Sequence, residues 1–234
     1  MRITQIWRYP VKSVGGQRMA AADITDLGVE GDRSWGIVDD TTDMVLTGRR
    51  EPRLLMASAI LESDGPIITV ENDQEMRTSA QLSVWLDRPV TLTSAGEDGG
   101  TYEDPRDYEN DADWETWQGP GGAWHDSAQA RVSMASLDTM GNWDPRRFRS
   151  NFILDSEGDD ESDLVGHRVT IGDAVLYVVK PIDRCVMVTR AQPGLDRDLD
   201  VLRTINRSRG SMLAVGAVII TPGRVVEGDE IIPV

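Results

Sequence analysis

Cys185 is the only cysteine in this chain of 234 residues, and it sits in Lys180-Pro181-Ile182-Asp183-Arg184-Cys185-Val186-Met187-Val188-Thr189-Arg190. Positive charge at Lys180, Arg184 and Arg190 stabilises a thiolate, the form of cysteine that acts as a nucleophile or a soft-metal ligand. A buried, inert thiol is the other reading of a lone cysteine. One thiol excludes an internal disulfide, and with only His125 and His167 beside it a closed zinc site would need carboxylates for most of its ligands.

Three further segments carry groups suited to an anion. Pro10-Val11-Lys12-Ser13-Val14-Gly15-Gly16 offers a lysine, a hydroxyl and two glycines after a strand, without the glycine spacing of a phosphate-binding P-loop. In Gly31-Asp32-Arg33-Ser34-Trp35, Arg33 can fork onto a phosphate or carbonyl, or pair with Asp32. Arg146-Arg147-Phe148-Arg149-Ser150-Asn151-Phe152 is the densest basic cluster, holds both phenylalanines, and suits a phosphorylated heteroaromatic ligand, with Asn151 as donor and acceptor. A strand-to-strand turn and a solvated charged face are the plain alternatives. His125-Asp126-Ser127 contains hydrolase residue types, but triad members rarely lie adjacent. Among 40 acidic residues no carboxylate pair stands out for acid–base work.

The formal charge of −16 disfavours nucleic acid and anionic membrane surfaces as partners. Of 24 basic residues only Lys12 and Lys180 are lysine, a bias that tells little about any one arginine. No run approaches the ~20 apolar residues of a membrane span. The first residues enter alternating sequence without a charged-then-apolar leader, so a cytoplasmic protein is expected.

The elements that must position these groups are mostly strands. Ile3 to Arg8, Ser34 to Asp39, Leu54 to Glu62 and Ile67 to Val70 alternate, with Asp64-Gly65 as a tight-turn signal. Ser79 to Leu86 reads as a short helix with Ser79 as N-cap. Residues 95–123 gather Gly, Asp, Glu and Pro around scattered Tyr102, Tyr108, Trp114 and Trp117, which predicts an acidic connection between a unit at 1–94 and another at 124–234. Beyond it, strands are expected at Phe152 to Leu154, Arg168 to Ile171, Ala174 to Val179, Val186 to Thr189, Ala214 to Ile220 and Glu230 to Val234. Gly172-Asp173 is expected to turn one hairpin. Helices are expected at Ser136 to Trp143 and Asp198 to Arg209, the latter with Leu199, Leu202 and Ile205 or Asn206 on one face and Gly210 as cap. Without a βαβ rhythm, the fold class is mostly β with a few helices, in an antiparallel barrel architecture.

Ordered, separated motifs over nearly the whole chain resemble the MOSC family, with its N-terminal β-barrel domain, and within it the branch of the amidoxime-reducing components. They are Tyr9-Pro10-Val11-Lys12-Ser13, Gly31-Asp32-Arg33-Ser34-Trp35, Leu46-Thr47-Gly48-Arg49-Arg50-Glu51-Pro52, Arg147-Phe148-Arg149-Ser150-Asn151, Asp183-Arg184-Cys185, the helix from Asp198, and the closing Pro222-Gly223 and Gly228-Asp229. The resemblance implies a two-part β-barrel chain that binds a pterin molybdenum cofactor (molybdopterin), with Cys185 as metal ligand. It places Lys12, Ser13 and Arg33 near the pterin or its phosphate, Arg149, Asn151 and Arg184 on the opposite wall, and Ser133 beside them. It also implies a molybdenum-dependent reductase of small N-hydroxylated substrates, fed by an external electron-donating reductase because no flavin, haem or iron–sulfur motif is present. A sulfur carrier holding a persulfide on Cys185, and a non-catalytic cofactor carrier, are the alternatives. The chain departs from the family where Arg-Pro-Asn becomes Arg149-Ser150-Asn151, and in the acidic insertion from 96 to 123.

Overall fold

The computed structural model describes residues 1–107, 112–158 and 160–234, so Tyr108 lies outside the described residues. Its largest element is an eight-stranded sheet curled as a half-barrel. The strands run in the order Ile231–Pro233, Arg168–Ile171, Ala174–Asp183, Met212–Thr221, Val132–Ser136, Phe152–Asp155, Arg2–Arg8 and Gln17–Met19. All neighbours are antiparallel except Val132–Ser136 against Phe152–Asp155. Ile3 and Ile6 are three residues apart yet both buried, because the register shifts between Ile3 and Gln5 and a bulge turns both side chains inward.

This sheet draws strands from both ends of the chain. Arg2–Arg8 pairs with Phe152–Asp155, and in a separate three-stranded sheet Ala21–Thr25 pairs with Gly223–Val226. The apolar faces of both sheets, among them Ile3, Ile6, Ile24, Phe152, Val178 and Val225, share one core. A second core forms under Trp35–Asp39, Ser58–Glu62, Gly65–Val70 and the helix Ser79–Leu86, with Val11 and Val14 anchored in it. A third, built from Phe148, Val188, Val201 and Ile205, lies beneath the Cys185 segment. Burial of such apolar area is the main stabilising term for all three.

Several local expectations are corrected. Leu54 to Met56 belong to the 3-10 turn Pro52–Met56, and the strand starts at Ser58, because Glu51 caps the turn through the Arg53 N–H. Thr78, not Ser79, caps the first helix, in a reciprocal box with Gln81. The helix expected from Ser136 is the single turn Leu137–Met140, ended by Gly141. The helix Leu199–Arg209 buries Val201 and Ile205 while Leu199 is exposed.

One addition and one correction bear on the site. The acidic connection contains an antiparallel hairpin, Thr101–Asp107 with Ala112–Gln118, in which Tyr102 and Trp117 are directly opposite and stack at 4.6 Å. Val186–Thr189, β-branched enough to read as a strand, is instead a 3-10 turn: Val188 N–H donates to the Cys185 carbonyl at 3.2 Å and Thr189 Oγ1 to the Val186 carbonyl at 2.8 Å. Among the described residues, no helix is long and apolar enough to cross a membrane.

Candidate functional site

Lys12 and Ser13 are the central residues of a turn closed by the Val14 N–H on the Val11 carbonyl at 3.2 Å, and Ser13 takes a φ of 65°. The Lys12 N–H bonds the Trp35 carbonyl at 2.8 Å, which fixes the turn to the adjoining strand. Gly15 and Gly16 do not cradle a ligand here. A Cβ on Gly15 would meet the Ala57 carbonyl at 2.8 Å, and one on Gly16 the Tyr9 ring at 2.6 Å, so close packing demands both.

Tyr9 is the hub. Its ring has the Arg149 guanidinium at 4.5 Å and that of Arg33 at 5.1 Å, within the range of cation–π attraction. Burial pushes its phenol up to about 12, against the pull of Arg149, Arg33 and Arg184. The Asp32 carboxylate is buried, accepts the Tyr9 N–H at 2.7 Å and pairs with Arg33 Nη1, while Arg33 Nη2 donates to the Arg149 carbonyl at 3.1 Å. Arg33 is therefore paired with Asp32, as one sequence reading held, and also stands in the cationic cluster. Lys12 Nζ lies 2.5 Å from Asp126 Oδ1 and 4.7 Å from the Tyr102 ring centre, which brings the hairpin to the edge of the site. Burial lowers the pKa of Lys12, with Asp126 opposing that shift.

Arg149 and Arg184 are held differently. Among the described residues neither forms an ion pair, and burial brings each guanidinium down to about 10, helped for Arg149 by the charge of Arg33. Arg184 Nε donates to the Leu213 carbonyl at 2.6 Å and Nη1 to the Phe148 carbonyl at 3.0 Å, which leaves Nη2 buried and without a partner. Buried donors seldom go unpaired, so this one is suited to a ligand oxygen.

Cys185 follows Arg184 directly, half-buried, at the head of the 3-10 turn. Arg147 reaches that turn from the other side and donates to the carbonyls of Val188, Arg190 and Asp196 at 3.4, 3.2 and 2.7 Å. Gly48 packs so closely on this segment that a Cβ would meet Met187 Cε at 2.9 Å. The Thr47–Arg50 loop thus touches the cysteine turn, and it also reaches the hairpin through Arg49 to Asp104 and Arg50 to Glu103.

Asn151 and Ser133 are brought together, though their polar atoms engage the protein. Asn151 Oδ1 accepts from the Ser133 N–H and hydroxyl, both at 3.1 Å, and Nδ2 donates to the Trp7 carbonyl at 3.3 Å. Lys180 sits within the strand Ala174–Asp183, in register with Gly216 of the neighbouring strand. No triad forms at His125-Asp126-Ser127. Burial, with Arg33 assisting, lowers His125 to about 3, its Nε2 is buried without a partner, and Asp126 engages Lys12.

Sequence reasoning missed Arg147 and Asp126 as anchors, and it saw Asp32 only as a partner for Arg33, not as the acceptor of the Tyr9 N–H. Arg33, Arg149 and Ser13 all adopt positive φ without being glycine, as does Ala214 nearby in sequence to Leu213. Such strain persists where the surroundings over-determine it, commonly at functional sites. Among the described residues no three His, Cys, Asp or Glu side chains are grouped to hold a metal on their own. A metal coordinated at Cys185 would have to bring further ligands with it.

Comparison with known proteins gives two family matches: the MOSC N-terminal beta barrel domain over residues 1–109 and the MOSC domain over residues 123–232. The chain is 28% identical to a molybdenum cofactor sulfurase of Drosophila grimshawi, over 92% of this chain and 31% of that protein. It is 38% identical to mitochondrial amidoxime-reducing component 1 of Homo sapiens, over 29% of this chain and 20% of that protein. It therefore spans well under two thirds of either relative. A solved structure of the YuaD protein from Bacillus subtilis aligns over 98% of this chain and 93% of its own, with 12% identity and a TM-score of 0.46.

Proposed function

Because the chain belongs to the MOSC-domain proteins, with a MOSC N-terminal beta barrel domain followed by a MOSC domain, we propose that it binds a pterin molybdenum cofactor and reduces N-hydroxylated small molecules. One observation carries the reading: in a chain of net charge −16, Arg33, Arg149 and Arg184 gather around Tyr9, the last two without a carboxylate partner among the described residues, and Cys185 adjoins Arg184. Buried cations without carboxylate partners are costly unless an anion completes them.

Arg184 Nη2 and the Arg149 guanidinium would hold the phosphate and the polar edge of the pterin, with Lys12 and Arg33 on the facing side. The Cys185 thiolate would ligate the metal, a soft donor beside a cation that favours its ionised form. When bound, the cofactor supplies the oxygen-transfer chemistry that side chains lack. Cleaving an N–OH bond to N–H and water consumes two electrons and two protons. The electrons would come from a separate reductase, and Asp126, whose side chain is 75% exposed, stands where protons can enter from solvent. Ser133 and Asn151 would act by tying the strand Val132–Ser136 to the Arg149 turn.

The test is expression with cofactor supply, followed by molybdenum analysis and turnover of hydroxylamine and amidoxime substrates with a chemical electron donor. Bound molybdenum with turnover is expected, and its absence from folded protein contradicts the reading. The broad likeness to a molybdenum cofactor sulfurase supports a second reading, in which Cys185 carries sulfane sulfur as a persulfide. A labile sulfur adduct on Cys185 in mass spectra, without pterin, would favour it.

A further inference from the structure

Glu161 is fully buried, belongs to none of the motifs described so far, and its carboxylate is tightly engaged. Thr139 Oγ1 donates to its two oxygens at 3.0 and 2.9 Å, and the Ala214 N–H donates to Oε1 at 3.0 Å. Ala214 has a φ of 84°, a conformation that alanine rarely adopts. A charge-assisted hydrogen bond to its N–H holds it there. The preceding carbonyl, that of Leu213, is the one that receives Arg184 Nε at 2.6 Å. The Arg184 N–H in turn bonds the carbonyl of Ser211, another left-handed residue, at 2.8 Å.

We infer that Glu161 is a positioning residue: through Ala214 and the Leu213 carbonyl it aims the Arg184 guanidinium at the space beside Cys185. A carboxylate is suited to this because two oxygens hold the Thr139 hydroxyl and the Ala214 amide at once, and its charge faces Arg184 through the protein interior. Without it, Ala214 relaxes towards an ordinary strand conformation, the Leu213 carbonyl rotates, and Arg184 loses one of its two anchors. The Phe148 carbonyl alone then holds a guanidinium that can swing. The consequence for cofactor binding rests on the function proposed above; the geometric role does not.

The experiment uses the full chain without cofactor and compares alkylation of Cys185 by iodoacetate, an anion, with that by iodoacetamide, its neutral analogue, at one pH. A cation poised at the thiol raises the ratio of the two rates. Loss of Arg184 from its place should lower that ratio about fivefold, the effect of one unit charge a few ångströms away in a water-like medium. Glu161→Ala and Arg184→Gln are each expected to show this fall, and the double variant no further fall. Glu161→Gln, which keeps an oxygen for the Ala214 amide, is expected to retain the wild-type ratio. A folded Glu161→Ala protein with the wild-type ratio, multiplying effects in the double variant, or a Gln variant as low as Ala each overturns the assignment. Should Glu161→Ala fail to fold, Thr139→Val carries the test: a partial fall upholds the role and an unchanged ratio overturns it. Missing molybdenum in the wild-type protein would count against the proposed function alone, since this readout needs no cofactor.

Discussion

The two walls of the site hold their cations by opposite means. On the wall from the first part of the chain, Arg33 pairs with buried Asp32 and Lys12 with exposed Asp126. On the wall from the last part, Arg147 and Arg184 are bound to main-chain carbonyls, and Arg149 lies over Tyr9 with no carboxylate partner among the described residues. A carboxylate cancels charge as it orients, whereas a carbonyl orients and leaves the charge in place. The second wall is thus the one that retains positive field, and it is the wall that carries Cys185. An anion joining the two would find neutralised partners on one side and open ones on the other.

That contrast can be broken by removing one anchor from each wall. Asp32→Ala strands Arg33 beside Tyr9 and removes the acceptor of the Tyr9 N–H; loss of one member of a buried pair should cost about 3–5 kcal/mol in denaturant unfolding. A loss below 1 kcal/mol, on the order of a surface pair, would mean that this wall is not held by charge. Arg147→Ala removes the donor of three carbonyls around the cysteine turn, and the expected loss is about 2–3 kcal/mol, as for hydrogen bonds to a charged group. It should also speed alkylation of Cys185 as the turn loosens, and unchanged cysteine reactivity would separate Arg147 from the site.

A third test concerns pH. His125 is buried beside the first wall and, with burial as the main cause, has a pKa of about 3 against an ordinary value of 6.5. The unfolded chain therefore binds more protons between those values, and stability rises with pH across that window. The contribution is complete above pH 6.5 and is lost as pH falls toward 3, with a slope of at most about 1.4 kcal/mol per pH unit. His125→Gln should flatten the acid limb of a stability profile; an unaltered limb would place the acid sensitivity in the carboxylates instead.

Much of this arrangement was legible in the sequence, for physical reasons that differ by residue. Period-two alternation exposed the strands, and Gly172-Asp173 marked the hairpin that Ile171 and Ala174 close. Basic residues around Cys185 and at Arg149 stood out against an acidic chain. The hairpin at 101–118 did not, because Pro105 breaks the strand pattern and the Tyr102–Trp117 pair is visible only once the register is known. Val186–Thr189 misled because β-branched residues favour strands, while Arg147 captures the Val188 carbonyl from 41 residues away. Glu161 was hidden in Asp160-Glu161-Ser162-Asp163, which reads as a solvated acidic run; only the fold turns one of those carboxylates inward. Left-handed Ser13, Arg33, Arg149 and Ala214 are likewise set by tertiary contacts, since nothing in their residue types favours positive φ.

The central claim is that Cys185 supplies a metal ligand on the wall that keeps its charge. X-ray absorption at the molybdenum edge, on cofactor-loaded wild-type and Cys185→Ser proteins, tests it most directly. The account predicts one fewer sulfur scatterer, or loss of the metal, in the serine variant; identical sulfur coordination at equal molybdenum content would contradict it.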